Sequence, residues 1–454
     1  MYTVEIGRQF LKYYNEKTGN DYSALEFFEE EFFPVVFDAE DHLHLMHVHN
    51  SPFFQRIYKK DREAYPDMRD ALLRKYKFFD SIEEVVAGED DLGGNLGVGF
   101  MAKGYDGTTS GQVSNLEAEF SKSDILYSWI GGALGVGFGG GYDFLFESNK
   151  INWFLFKGWR YYREYLKQTP NFKGRQLETW NGLWINYGLQ YSNDFDRAFN
   201  ETTIGIKDHT RKGGSYLKLD RPDWIKQIFS LARYFGSKRK RELVYGYGYG
   251  QMNTTLGFLY FELGEVKDMA DLFDQLVAND SELTTNEKIR IEDAYETFFS
   301  LERACEMGGI GVQALRPKDL RKYTIWTRNK NMKSTPDLSK KQKRIKFLTY
   351  ITWIEAMLKN DETLQLSEEV AEALIEYEGG ENRLKTRITA VENLWDSKSR
   401  QQLIDKLSAI VKEEPKIAET INRAVDQLMT KIPQDMYKLF LTLIKFKYHY
   451  YQSN

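Results

Sequence analysis

Apolar residues in the last third of the chain recur at helical spacing. Phe347, Ile351, Ile354 and Leu358 fall at i, i+4, i+7 and i+11, and Leu384, Ile388, Val391 and Trp395 repeat the pattern, as do Ile417, Ile421, Ala424 and Leu428. That spacing sets one apolar stripe on each helix. The glycines of "EYEGGEN" stand where a helix should stop, and Pro415 and Pro433 stand where new ones should start. The pattern predicts a bundle of about five mostly antiparallel helices from Leu338 to Tyr451. Further back, Trp224, Ile228 and Leu231 share a face in "DWIKQIFSLARYF", and an amphipathic basic stretch runs from Asp67 to Phe79. Elsewhere the period shortens. "HLHLMHVH" alternates in a strand-like way, and 14 of the 35 glycines lie between Gly93 and Gly141, interleaved with "LGVGFMA", "DILYSWI" and "ALGVGF". This reads as strands joined by tight turns. The expectation is an α+β protein: a mixed α/β region over 1–335 with a glycine-rich β segment, then a helical bundle over 336–454.

Charge and composition narrow the setting. The 62 basic residues face 67 acidic ones, a formal net charge of −5, so the chain is no globally basic nucleic-acid binder and any basic surface must be local. One cysteine, Cys305, permits neither an internal disulfide nor a zinc site built on cysteine pairs. The first residues lack a signal-peptide pattern and no apolar run approaches a bilayer span, which points to a soluble cytoplasmic protein away from membranes. Aromatics make up 15% of the chain, enough for a bulky core, an interface or base-stacking surfaces.

Several stretches invite chemistry. Four of the six histidines, His42, His44, His47 and His49, fall within eight residues. One metal ion needs ligands converging on a point. Strand alternation instead sends His42 and His44 to one face and His47 and His49 to the other, so a polar strand face is the favoured reading and no metal is expected. "GVGFGGGYD" and "YGYGYGQ" give GxGxG, not the dinucleotide fingerprint, and no phosphate loop of the GxxxxGK[ST] kind occurs. No cofactor is expected. Asp223 in "RPDW" with Glu265 and Lys267 in "GEVK" could form a metal-dependent restriction-type nuclease if they met across a hairpin. Cys305, in "LERACEMGG", reads as a buried thiol. The segment 316–346 carries 12 Lys/Arg against 2 Asp, a phosphate-binding strip or a solvated linker, with Tyr323 and Trp326 interleaved. Lys238, Arg239, Lys240 and Arg241 form a second basic run. "GYDGTTSGQVSN" offers small hydroxyls to phosphates and Gln112 or Asn115 to base edges, or is a hairpin turn with capping hydroxyls.

Three motifs in order, "NSPFFQR", "TTSGQVSN", and "KGWRYYREYL" followed by "RQLETWNGLW", together with the basic helical C-terminus, resemble the Cas8 large subunit of type I CRISPR effector complexes, nearest the I-B branch. The resemblance spans most of the chain. One departure is that some members carry paired CxxC motifs, which this sequence lacks. The resemblance implies a non-catalytic subunit in antiviral defence, partnered by a guide RNA (crRNA), target double-stranded DNA, Cas5-like, Cas7-like and small subunits, and a recruited helicase-nuclease. It would read the motif flanking the target (PAM), aid duplex opening and hold the displaced strand. DNA contacts are then expected at Lys103, Thr108, Thr109, Ser110, Gln112 and Asn115, at Lys238, Arg239, Lys240 and Arg241, and at Lys341, Lys343, Arg344 and Lys346. Asn50, Ser51 and Gln55 either approach nucleic acid or cap the turn at "NSPF", the cap being favoured. The resemblance also suggests an internal start at Met332 that would release a self-contained helical small subunit. The competing classes are the nuclease above and a structural scaffold.

Overall fold

A computed structural model describes the chain except residues 40–44, 47–50, 90–91, 101–119, 170–175, 191–206, 212–213, 249–253, 281–282, 284–288, 319–339, 360–361, 380–384 and 454. The protein is mostly helical, with a small five-stranded mixed sheet in its middle region, and is α+β overall. It divides into two compact units. The first comprises Met1–Gly264 and Ser300–Ile310, the second Glu265–Phe299 and Gly311–Asn454. Among the described residues no helix is long and apolar enough to cross a membrane.

The first unit opens on helix α1 (Tyr2–Thr18), which Gly19 ends in the left-handed conformation at φ 76°. Short turns of helix follow at Ala24–Phe27 and Phe33–Val36, then α2 (Asp70–Ala87) and α3 (Lys122–Ala133). Among the described residues of 1–89 there is no strand, and the strand-like run His42–His49 lies largely outside them. Phe27, Phe28, Phe32 and Phe33 recur at helical spacing and are all buried. The histidine cluster lies outside the described residues, but Leu45 and Met46 within it are buried and belong to no strand.

The glycine-rich segment is corrected. "DILYSWI" lies in α3, started by a capping box in which Ser121 and Asp124 exchange side-chain and backbone bonds. Its glycines serve helix contact. A Cβ on Gly7 would stand 2.0 Å from the Tyr127 carbonyl oxygen, and one on Gly131 1.9 Å from that of Thr3. Only glycine lets the backbones of α1 and α3 approach so closely. Of the segment as a whole, Lys103 to Asn115 lie outside the described residues, and Val136–Phe138 is the one described strand.

The described parts of the resemblance motifs are largely core. Phe53 of "NSPFFQR" stacks on Phe37 at 4.1 Å and lies 4.3 Å from Phe78, while Trp129 meets all three edge-on. Ser51 is buried and its hydroxyl accepts from the Phe53 N–H, so it caps the short 3-10 turn Pro52–Phe54. Helices α4 (Asn149–Gln168) and α5 (Leu177–Gln190) carry the tryptophan motifs. Each buried indole N–H is satisfied: Trp159 donates to Asn181 Oδ1, Trp180 to the Gly158 carbonyl and Trp184 to the Phe154 carbonyl, each at 3.0 Å. Asn181 in turn donates to the carbonyls of Ala133 and Gly135.

Strands β1 (Val136–Phe138), β2 (Tyr142–Phe146), β5 (Glu242–Gly248), β6 (Thr254–Phe261) and β7 (Gly309–Ile310) form the sheet in the order β1-β2-β5-β6-β7, and β3 (Lys207–Arg211) and β4 (Gly214–Lys218) form a separate hairpin. All sheet pairs are antiparallel except β6 with β7. One face buries Phe138, Phe144, Phe146 and Phe261 against each other, with helix α6 (Trp224–Phe235) in the same unit presenting Trp224, Ile228 and Leu231 as buried residues.

The second unit holds most of helix α7 (Leu263–Ala278), and its described residues from Lys340 onward form six α-helices where about five were expected: α8 (Lys340–Leu358), α9 (Glu362–Gly379), α10 (Lys385–Leu394), α11 (Arg400–Glu413), α12 (Ala418–Thr430) and α13 (Tyr437–Ser453). Phe347, Ile351, Ile354 and Leu358 are all buried, as are Ile417, Ile421, Ala424 and Leu428. The boundary read at 335/336 lies outside the described residues. The unit containing the bundle also takes 265–299 and 311–318. Helix α8 is fastened to those segments: Trp353 donates to the Val312 carbonyl at 2.8 Å and Tyr350 to that of Lys318 at 3.0 Å, while Lys359 pairs with Glu265 at 2.6 Å.

Candidate nucleic-acid interface

Lys103, Thr108, Thr109, Ser110, Gln112, Asn115 and Asn50 lie outside the described residues. Gln55 is exposed just after the Ser51-capped turn. In the C-terminal strip, 319–339 is likewise outside. Arg344 does not face solvent as a free phosphate ligand would. Its guanidinium lies 2.5 Å from the carboxylate of Asp280, which is 3% exposed, and 4.5 Å from the Tyr450 ring centre. This charge is spent inside the second unit, because a buried carboxylate needs a partner. Lys341, Lys343 and Lys346 lie on the first turns of α8.

The nuclease residues do not assemble across a hairpin. Asp223 is the N-cap of α6, accepting from the N–H groups of Ile225 and Lys226. Glu265 and Lys267 sit two apart on helix α7, about 200° around it, where a strand would set them on one face. Each is ion-paired, Glu265 with Lys359 and Lys267 with Asp271. Burial first, then the nearby Glu302, pushes the Cys305 thiol up to about 12, which suits a structural residue. Among the described residues no group of three His, Cys, Asp or Glu is placed to hold a metal ion.

The run Lys238–Arg241 gains definition. It links α6 to β5, and its members divide. Arg239 turns toward carboxylates, 2.7 Å from buried Glu242 and 3.5 Å from Glu147. Glu242 also accepts from the Ser148 N–H, yet burial outweighs both partners and pushes its carboxyl up to about 7. Lys238 and Lys240 are exposed. Arg241 makes two 2.8 Å hydrogen bonds to Glu262 and lays its guanidinium 5.1 Å from the Tyr260 ring centre.

That last contact leads onto a surface the sequence reading missed. Tyr245 pairs with Phe258 and Leu243 with Tyr260 across β5 and β6, so alternation puts Arg241, Leu243, Tyr245, Phe258, Tyr260 and Glu262 on one face. Phe258 is 59% and Tyr260 43% exposed. Tyr2 meets Phe258 edge-on at 4.9 Å, and Tyr245 meets it at 5.1 Å. The register shifts between Gly246 and Tyr247, where Gly257 takes φ 76°, a bulge that adds twist beside the exposed rings. The signal was present in "TLGFLYFE", aromatics two apart in a strand-forming run. Comparison with protein-family models, curated proteins and solved structures finds no match to this chain.

Proposed function

We propose that this chain is a non-catalytic nucleic-acid-recognition subunit of an RNA-guided DNA-targeting complex, of the kind its motifs resemble. The observation that carries the nucleic-acid part is the exposed pair Lys238 and Lys240 beside an Arg241 guanidinium stacked on Tyr260, because phosphate neutralisation and planar stacking are the two devices such proteins use. The identity of the complex rests on the motif resemblance. In this reading the segment containing Gln112 and Asn115 reads the flanking motif and aids duplex opening, target sequence is read by guide pairing, and cutting belongs to a recruited helicase-nuclease. The partners are guide RNA, target duplex and backbone subunits, in the cytoplasm.

The test is to recover the tagged chain from its own cells and sequence the nucleic acid that comes with it. A uniform short guide RNA, retained with companion subunits, is the expected result; protein recovered free of RNA and of companions refutes the assignment. For the assembled complex, Lys238→Ala with Lys240→Ala should weaken DNA binding evenly across sequences and lower the salt slope by up to about 2. Gln112→Ala should impair discrimination of the flanking motif and leave assembly intact.

A further inference from the structure

We infer that the outer face of β5 and β6 is a stacking platform for single-stranded nucleic acid, with bases laid on Phe258 and on the Tyr260–Arg241 pair and the backbone drawn toward Lys238 and Lys240. This rests on the nucleic-acid reading above and specifies which form of nucleic acid the sheet takes.

Four observations carry it. The rings stay exposed although most large aromatics of the first unit are buried, and exposed rings forgo the gain that burial would bring. They are also held in place. Tyr2 and Tyr245 brace Phe258 edge-on, the Tyr245 hydroxyl accepts from Thr255 Oγ1 at 2.9 Å, and Glu262 fixes Arg241 through two hydrogen bonds. Little side-chain entropy is therefore left to lose when a base arrives.

The spacing selects the strand form. Two residues along β6 advance about 6.8 Å, roughly twice the 3.4 Å axial rise from one stacked nucleotide to the next along a strand of duplex DNA. Bases resting on both rings belong to an extended, unstacked strand. A duplex keeps its base faces inside and has none to offer.

Charge selects the occupant. Glu262 is the acidic residue on this outer face between the strands, and Arg241 neutralises it bidentately. Buried Glu242 and exposed Glu147 are matched in part by Arg239. Lys238 and Lys240, exposed at the entry to β5, make no side-chain ion pair among the described residues. Aromatic faces bordered by exposed lysines complement bases bordered by phosphates.

The experiment is fluorescence anisotropy of the full chain with labelled oligothymidylate and, separately, a labelled hairpin duplex. Phe258→Ala and Tyr260→Ala should each weaken oligothymidylate binding at least about fivefold, from the usual worth of one base–aromatic stack, and change duplex binding less than about twofold. Phe258→Trp should retain the affinity of the parent. Both alanine positions are at the surface, and unchanged circular dichroism establishes that each variant folds. If the parent binds oligothymidylate and both alanine variants bind it equally well, the platform is refuted while the nucleic-acid function stands. The platform is likewise refuted if the duplex loses as much affinity as the single strand, or if the face proves to take a protein partner and oligothymidylate does not compete with it. If the parent binds neither probe and carries no RNA from cells, the underlying functional reading fails as well.

Discussion

Glu242 allows a quantitative test of the balance between burial and pairing. Its side chain is fully buried in the first unit, with Arg239 at 2.7 Å and the Ser148 N–H at 3.1 Å. Burial prevails and lifts its carboxyl from 4.5 to about 7. The unfolded chain releases this proton near pH 4.5, while the folded chain holds it until about pH 7. Between those limits the folded state binds more protons, so stability falls as pH rises, and above pH 7 the whole cost is in force. A gap of about 2.5 pH units corresponds to about 3 kcal/mol. Arg239 is 39% exposed, so solvent screens its attraction and does little to offset that cost. Glu242→Gln keeps the shape and removes the ionisation. Scanning calorimetry of parent and variant from pH 5 to pH 8 should show the variant's melting temperature gaining on the parent's by roughly 5–10 °C across that range. A difference that stays constant, or moves in favour of the parent as pH rises, would show that Glu242 is ionised throughout and that Arg239 outweighs burial.

Two further outcomes follow from the packing. Gly131→Ala would drive a methyl into the Thr3 carbonyl of the facing helix, and neither backbone can yield cheaply; a loss of about 3 kcal/mol or more is expected, read as a lowered melting temperature or insoluble expression. Arg344→Met would take the guanidinium away from the buried Asp280 carboxylate, costing about 3–5 kcal/mol in urea unfolding of the second unit, while nucleic-acid affinity under conditions where the variant is folded stays at the parent value.

The helical C-terminus was legible because its period alone decides it. A 3.6-residue stripe such as Phe347, Ile351, Ile354 and Leu358 has no strand interpretation, and all four residues are buried. The glycine-rich segment misled because glycine has several uses. Gly7 and Gly131 are adjacent through the fold and far apart in sequence, and nothing local distinguishes a glycine needed for helix contact from one needed for a turn. The basic residues show the same limit. Lys240 and Arg344 look alike in a charge count, yet one is exposed and the other neutralises a buried carboxylate. Phe258 and Tyr260 were hidden for the opposite reason: aromatics in a strand are usually core, and only the finished sheet shows which face remains open.

The fastening of α8 bears on where this chain can be divided. A product begun at Met332 would keep all six C-terminal helices and leave behind Glu265, Asp280, Val312 and Lys318, the residues to which Lys359, Arg344, Trp353 and Tyr350 are tied. It would start life with one flank of its first helix stripped, an arginine without its counter-ion and an indole without its acceptor. Such a fragment is not self-contained. It would need a second protein surface to stand in for the lost residues, so the cut that made it a separate subunit would also make it depend on a partner.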